Sequence, residues 1–387
     1  MASFSVQALS AGVLAAVVGF SSTFAVVIQG LTAVGASPAE AASGLMAVSI
    51  AMGVGAIVLS LQTRMPISVA WSTPGAAVLA DSSAPAGGFA AAVGAFIVTG
   101  ILIVVAGLWR PLGRAVAAIP ASLANAMLAG VLLALCLAPV KAVVESPWLG
   151  LSLIVVWALV ARFKRLYAVP AVVVLAVIVI AVTAPGSFST AAAVAPAPVA
   201  VMPIFTLPAI VGIALPLFLV TMASQNIPGV AVLSANGFKP APGPLFTTTG
   251  VFTVLAAPFG SHAVNLAAIT AALCAGPDAH PDPARRYWAA VVNGAAYVLV
   301  GLGAGAAAAF IGAAPPFLIE AVAGLALLGS FGGAVAAATA DANDREAAIV
   351  TFVVAASGVS FFGIGGAFWG LVAGGAVLAL ARWRRNA

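Results

Sequence analysis

In so apolar a chain the few polar side chains stand out, and they are where chemistry can occur. Ser21-Ser22-Thr23 and, further along the same run, Gln29 interrupt one hydrophobic segment. Thr221, Ser224, Gln225 and Asn226 interrupt another and are followed at once by Pro228-Gly229. Ser72-Thr73-Pro74-Gly75, His262 and Asn265 lie in two further segments. Hydroxyls and amides are costly in an apolar run unless they are hydrogen-bonded, so these clusters either line a site or bond helices together. His262 is either a satisfied hydrogen bonder or a proton carrier, since histidine alone titrates near neutrality without perturbation. Glu320 is the one carboxylate clearly inside an apolar run, about a turn from its end. There it either snorkels to the interface or takes part in proton coupling. Glu40 and Asp81 read as interface residues near the outer surface. The chain carries no His-Glu-x-x-His, Gly-x-Ser-x-Gly or Cys/His cluster, so neither an enzyme nor a metal or cofactor centre is expected. Cys136 and Cys274 lie in apolar runs and read as packing.

The elements that must position these groups are membrane spans. Hydrophobic residues make up 64% of the chain and charged residues 6%, which excludes an ordinary soluble protein. The net charge of +5 is not a nucleic-acid signature, because the basic residues sit in short loops. The N-terminus, Met-Ala-Ser-Phe-Ser-Val, lacks a positive leader, so the first apolar run reads as a retained helix.

Two stretches do not read as simple helices. Between Arg64 and Asp81 only 16 uncharged residues intervene. As one helix they would reach about 24 Å, short of a hydrocarbon core of roughly 30 Å. Ile67–Trp71 is β-branched and aromatic and favours an extended chain, and Ser72-Thr73-Pro74-Gly75 is a helix start with a capping hydroxyl and an early proline. An extended piece followed by a half-helix spans the bilayer and leaves a helix N-terminus near the midplane, a setting that suits an anion. The second stretch, Pro258-Phe-Gly-Ser-His-Ala-Val-Asn-Leu-Ala-Ala-Ile-Thr, superposes on the first, with Pro258 opposite Pro66 and Asn265 opposite Ser72. Residues 67–71 and 259–263 are expected to pair as antiparallel strands, satisfying each other's backbone. Pro120 and Pro316 open long apolar runs at a similar offset, a weak internal symmetry of the kind seen in repeat-built transporters.

Apolar runs give fourteen candidate spans. The first seven are 9–31, 40–61, 66–80, 87–109, 118–138, 147–162 and 169–184. A linker over roughly 185–205 precedes 207–230, 244–257, 259–275, 285–311, 316–339, 346–360 and 362–381. With the N-terminus inside, thirteen of the fourteen basic residues fall in inner loops, with Lys141 the exception. This predicts that both termini are cytoplasmic. Seven spans per half is odd, so the repeat is inverted and the two broken segments approach the midplane from opposite faces. Glycines at 53 and 55, at 301, 303 and 305, and at 363, 365 and 366 follow no soluble strand and read as close helix packing. Phe20, Phe24, Trp71 and Phe259 lie near one level and can form an aromatic wall.

Gln62-Thr-Arg-Met-Pro-Ile-Ser-Val-Ala-Trp-Ser-Thr-Pro-Gly-Ala-Ala, the stretch from Pro258, and Ser224-Gln-Asn-Ile-Pro-Gly together resemble the BenE family of benzoate:proton symporters over essentially the whole chain. A more distant resemblance links the chain to uracil and nucleobase-ascorbate carriers. The resemblance implies an all-α polytopic fold of 7+7 inverted spans. A core domain (residues 1–110 and 206–312) would move against a gate domain (111–205 and 313–387), often in a homodimer through the gates. It implies an inner-membrane importer of benzoate or a close aromatic carboxylate with protons, the rivals being another anion or a nucleobase as cargo, or an anion channel. The expected substrate site comprises Ser22, Trp71, Ser72, Thr73, Gly75, Gln225, Asn226, Phe259, His262 and Asn265, with His262 and Glu320 as proton-coupling candidates. Nucleobase carriers have glutamates where this chain has Ser224, Gln225 and Ile269 or Thr270, a departure that fits a cargo which is itself a carboxylate.

Overall fold

A computed structural model of the chain describes residues 5–117, 120–183, 197–267, 269–359, 361 and 365–386. Helices α1 (Val6–Ala33) and α2 (Pro38–Thr63) come first, then β1 (Val69–Trp71), the short α3 (Thr73–Ala80), α4 (Gly88–Leu108) and the small α5 (Arg110–Ala117). Helices α6 (Ala121–Glu145), α7 (Pro147–Lys164) and α8 (Ala168–Thr183) follow. The second half opens with a helix broken by two π-turns: α9 (Leu207–Ala209), α10 (Leu215–Thr221) and α11 (Ile227–Ala235). Next come α12 (Pro242–Ala256), β2 (Val264–Leu266), α13 (Ile269–Ala275), α14 (Tyr287–Leu302) and α15 (Ala304–Ala313). The chain ends with α16 (Pro316–Ala338), α17 (Arg345–Ala356) and α18 (Gly366–Asn386).

Among the described residues, eight helices are long and apolar enough to cross a membrane, or nine if the pair Pro283–Leu302 and Ala304–Phe310, bent by 58°, is one span. The other stretches read as spans carry shorter elements. For example, the 15 residues of α12 reach about 22 Å, less than a full hydrocarbon core. Of the linker, residues 184–196 lie outside the described part, as do 118–119, 360 and 362–364 in other loops and span ends. The end of the linker is pinned: Val201 N donates to Pro258 O at 2.8 Å and Ile204 N to Ala90 O at 3.0 Å.

The helix starts follow local chemistry. Glu40 closes a capping box with Ser37, its carboxylate accepting from Ser37 N at 2.8 Å. Ser72 caps α3 as its hydroxyl signalled, accepting from Gly75 N at 3.1 Å.

β1 and β2 pair antiparallel, with Val69 opposite Leu266, Ala70 opposite Asn265 and Trp71 opposite Val264. The second strand therefore lies past the expected 259–263. Residues 257–259 form a 3-10 turn, and Gly260 at φ 87° reverses the chain before the strand begins. That left-handed turn, open to glycine, moves the extended segment towards the C-terminus. A two-stranded sheet has two unpaired edges, and in an apolar setting each must find donors and acceptors. Side chains supply them. Ser60 Oγ accepts from Ile67 N and donates to its carbonyl, Thr253 Oγ1 accepts from Val264 N at 3.0 Å, and Asn226 Oδ1 accepts from Leu266 N at 2.9 Å.

The two halves interleave. α2 packs along α14, α4 along α12 and α6 along α16. Small residues permit this closeness: a Cβ at Gly53 would lie 2.5 Å from the Gly294 carbonyl oxygen, and one at Gly294 would lie 2.5 Å from that of Gly53. Asp344, at the start of α17, accepts from Ser122 Oγ of α6 at 3.0 Å and pairs with Arg382 of α18 at 3.7 Å.

Candidate functional site

A cavity of about 400 Å³ lies where α1, the strand pair and the start of α3 face α8 and α16. That volume lies within the range of small-molecule sites. Its inner wall is built from Thr23, whose hydroxyl accepts from Trp71 Nε1 at 2.9 Å and from Thr73 Oγ1 at 3.3 Å, and donates to the Gly19 carbonyl at 3.3 Å. One threonine thus orients an indole and a second hydroxyl at the same wall. Trp71 lies against Phe20 (centroids 5.4 Å apart) and Tyr297 (6.5 Å). Phe20 stacks on Phe24 at 5.5 Å, and Phe24 meets Phe310 at 6.0 Å. The Tyr297 hydroxyl reaches α1 because position 19 is glycine; a Cβ there would overlap it.

Polar groups enter from three directions. Thr73 and Pro74 bring the first turn of α3, Thr270 brings the first turn of α13, and Gln225 projects from the π-turn Met222–Asn226. Pro228 has no N–H for the Ser224 carbonyl, and the widened turn accommodates this next to the cavity. The Thr270 hydroxyl is buried and in hydrogen-bonding geometry with no described group. Arg165 is the one charged side chain on the wall, and no carboxylate lines it.

Of the ten residues expected in the site, the cavity wall holds Ser22, Trp71, Thr73 and Gln225. Ser72, Asn226, His262 and Asn265 are fully buried and do not line it. Their hydrogen bonds serve the backbone, while His262 Nδ1 and Asn265 Oδ1 are buried and meet no partner among the described residues. Ser72 caps α3, and Asn226 secures β2. Asn265 Nδ2 donates to Leu266 O at 2.8 Å, and His262 Nε2 donates to the Ser72 carbonyl at 3.2 Å. Gly75 is buried where a Cβ would overlap Leu217. Phe259 is 38% exposed on the 3-10 turn and takes no part in the aromatic cluster. Glu320 is exposed on the second turn of α16 and does not line the cavity.

Sequence reasoning passed over Arg165 and Tyr297, and it noted Thr270 only as a position where nucleobase carriers have a glutamate, without placing it in the site. Arg165 stood in a basic trio, Arg162, Lys164 and Arg165, that reads as a solvated inner loop. Tyr297 sits in an apolar run that Asn293 interrupts one turn earlier, and its signal was a hydroxyl within that run.

The sequence profile of the BenE family, benzoate membrane transport protein, matches residues 2–380. The chain is 40% identical over 369 residues to the inner membrane protein YdcO of Escherichia coli K12, covering 95% of this chain and 94% of that one. It is 31% identical over 376 residues to the benzoate membrane transport protein of Acinetobacter baylyi, covering 96% and 94%. Among solved structures, that of SLC26A9 is similar with a TM-score of 0.65 at 12% identity, covering 96% of this chain and 65% of that one. The transmembrane domain of the cyanobacterial bicarbonate transporter BicA gives a TM-score of 0.57 at 17% identity, covering 97% and 96%. These likenesses establish a polytopic, mostly helical membrane fold, and the family match over nearly the whole length settles kinship: the chain belongs to the BenE family of benzoate membrane transport proteins, a family of multi-pass transporters and not of enzymes.

Proposed function

We propose that the protein is a secondary transporter that brings benzoate or a close aromatic carboxylate into the cell together with a proton, by alternating access. The observation that carries this reading is the cavity itself. It offers Trp71 and Tyr297 for a ring and Thr73, Thr270 and Gln225 for a polar head, and its wall holds no carboxylate to repel an anion. The N-terminal turn of α3 borders the same space and favours negative charge by its dipole. An aromatic ring brings apolar area and stacking, and a carboxylate brings two acceptor oxygens for hydroxyl and amide donors.

In this reading the fourteen segments form 7+7 inverted repeats with both termini cytoplasmic. Residues 1–110 and 206–312 act as the core and 111–205 and 313–387 as the gate. The packing supports that division, because α6, α7, α8, α16, α17 and α18 contact one another more than they contact the rest. The cavity lies between the groups, with Trp71 and Gln225 on one side and Trp157 and Leu325 on the other. His262 remains the coupling candidate. Its bond to the Ser72 carbonyl links its protonation to the residue that caps α3, whereas Glu320 is exposed and does not line the cavity.

The test is uptake of labelled benzoate into proteoliposomes under an imposed proton gradient, with benzamide, uracil, bicarbonate and chloride as competitors. Saturable, gradient-dependent uptake inhibited by aromatic carboxylates is expected. Transport of an inorganic anion with indifference to benzoate would overturn the substrate. That is the second reading, since the fold is shared with a protein described as a bicarbonate transporter.

A further inference from the structure

The cavity wall carries one charge, and it comes from the gate side. Lys164, the last residue of α7, is extended at φ −148° and ψ 98°, and a 3-10 turn (Arg165–Tyr167) follows before α8. This kink sets Arg165, which is exposed like Arg162, among the cavity residues, beside Val169 and Pro170 of α8. Across the gap lies Gly329 of α16. A Cβ at that position would stand 3.3 Å from Arg165 Nη2, so a glycine there leaves the guanidinium its place. Among the described residues Arg165 forms no ion pair and donates no side-chain hydrogen bond. The opposite wall is uncharged and presents Thr73 and Gln225.

From this arrangement we propose that Arg165 is the charge-selecting residue of the cavity: a gate-borne cation that captures the carboxylate of the substrate on the cytoplasmic side. The inference rests on the reading of the cavity as an organic-anion site and adds the residue that recognises the charge. A guanidinium presents paired N–H donors that match the two oxygens of a carboxylate, and such charge-assisted bonds are stronger than those of neutral donors. The core side lacks any such group, so it recognises the ring and the polar head by shape and dipole. Arg165 adds discrimination between an acid and its neutral amide. Because it rides on the gate, a carboxylate held by both Arg165 and the start of α3 bridges the two moving bodies, and a neutral analogue does not.

The experiment measures equilibrium binding of benzoate and of benzamide to the purified full-length protein and to Arg165→Gln and Arg165→Lys, with melting temperature as a folding control. Arg165→Gln is expected to weaken benzoate about tenfold and leave benzamide unchanged, and Arg165→Lys, which keeps the charge but not the paired donors, to recover only part of the loss. Raising the salt concentration provides a readout that needs no variant: it weakens benzoate and spares benzamide in the unmodified protein. Unchanged benzoate binding in Arg165→Gln overturns the assignment, and so does an equal loss of both ligands, which marks a packing residue. If the unmodified protein ignores benzoate but binds bicarbonate or chloride in an Arg165-dependent way, Arg165 keeps its role and the aromatic substrate is withdrawn. If it binds none of these anions, both readings fall.

Discussion

Thr221 Oγ1 donates to Ser72 Oγ at 2.7 Å across 149 residues of chain, with both side chains fully buried. The bond fastens a helix of the second half to the cap of α3 in the first. The same Ser72 oxygen also accepts from Gly75 N, so one hydroxyl holds both the start of α3 and the contact between halves. Ser72→Ala is therefore expected to cost about 1–2 kcal/mol of stability, read as a lowered melting temperature in detergent. Thr221→Val should cost less, because Gly75 N keeps its acceptor. Equal effects would mean that the cap, and not the contact between halves, contributes nothing special.

Gln225 and Asn226 are neighbours in sequence with opposite tasks. Gln225→Leu is expected to weaken benzoate binding severalfold and leave the melting temperature unchanged, because its amide faces the cavity. Asn226→Leu strands Leu266 N in an apolar interior, at a cost of about 1–3 kcal/mol. Thermal unfolding and binding measured on both variants separate the two, and the reverse pattern would overturn the assignment.

Trp71 supplies the ring wall, and Thr23 orients it. Trp71→Ala should weaken an aromatic carboxylate by about tenfold, in line with stacking worth roughly 0.5–1.5 kcal/mol plus lost apolar contact. Thr23→Val keeps the ring but removes its bond to Nε1 and should weaken binding by less. A panel of ring-substituted benzoates checks this, since a reoriented indole changes the ranking among them.

In the proposed mechanism the route of the proton can be tested apart from that of the substrate. His262→Gln is expected to exchange labelled for unlabelled benzoate at equal pH while losing gradient-driven accumulation. Glu320→Gln should retain both. Accumulation preserved in His262→Gln and lost in Glu320→Gln would show that the two roles are reversed.

Gly53 and Gly294 meet backbone to backbone where α2 crosses α14. Gly53→Leu must push the helices apart and should destabilise the protein by about 1–3 kcal/mol, read in thermal melts. Gly303, where an added Cβ meets nothing closer than 3.5 Å, is the matched control, and there the same change should cost little.

Some features were determined by the sequence alone because they depend on neighbouring residues and on composition. The apolar character dictates a membrane, the Ser72-Thr-Pro-Gly stretch writes its own helix start, and the β-branched run up to Trp71 cannot comfortably be helical. Extended chain in an apolar setting demands a partner, which is why a second extended segment was legible after Pro258. Its register was not. A left-handed glycine at 260 shifts the strand to 264–266, and that conformation is set by packing against α2 and α4. Only the tertiary structure decided which polar groups face the cavity and which complete the sheet. Ser72, Asn226, His262 and Asn265 look like ligands in sequence because buried polar residues are rare. Once folded, they answer the backbone demand of two exposed strand edges and a helix start. Arg165 reads as a solvated loop cation and is indeed exposed, and the kink after α7 also makes it part of the wall. Periodicity reports how a residue sits on its own helix, whereas a site between two bodies depends on how they approach each other.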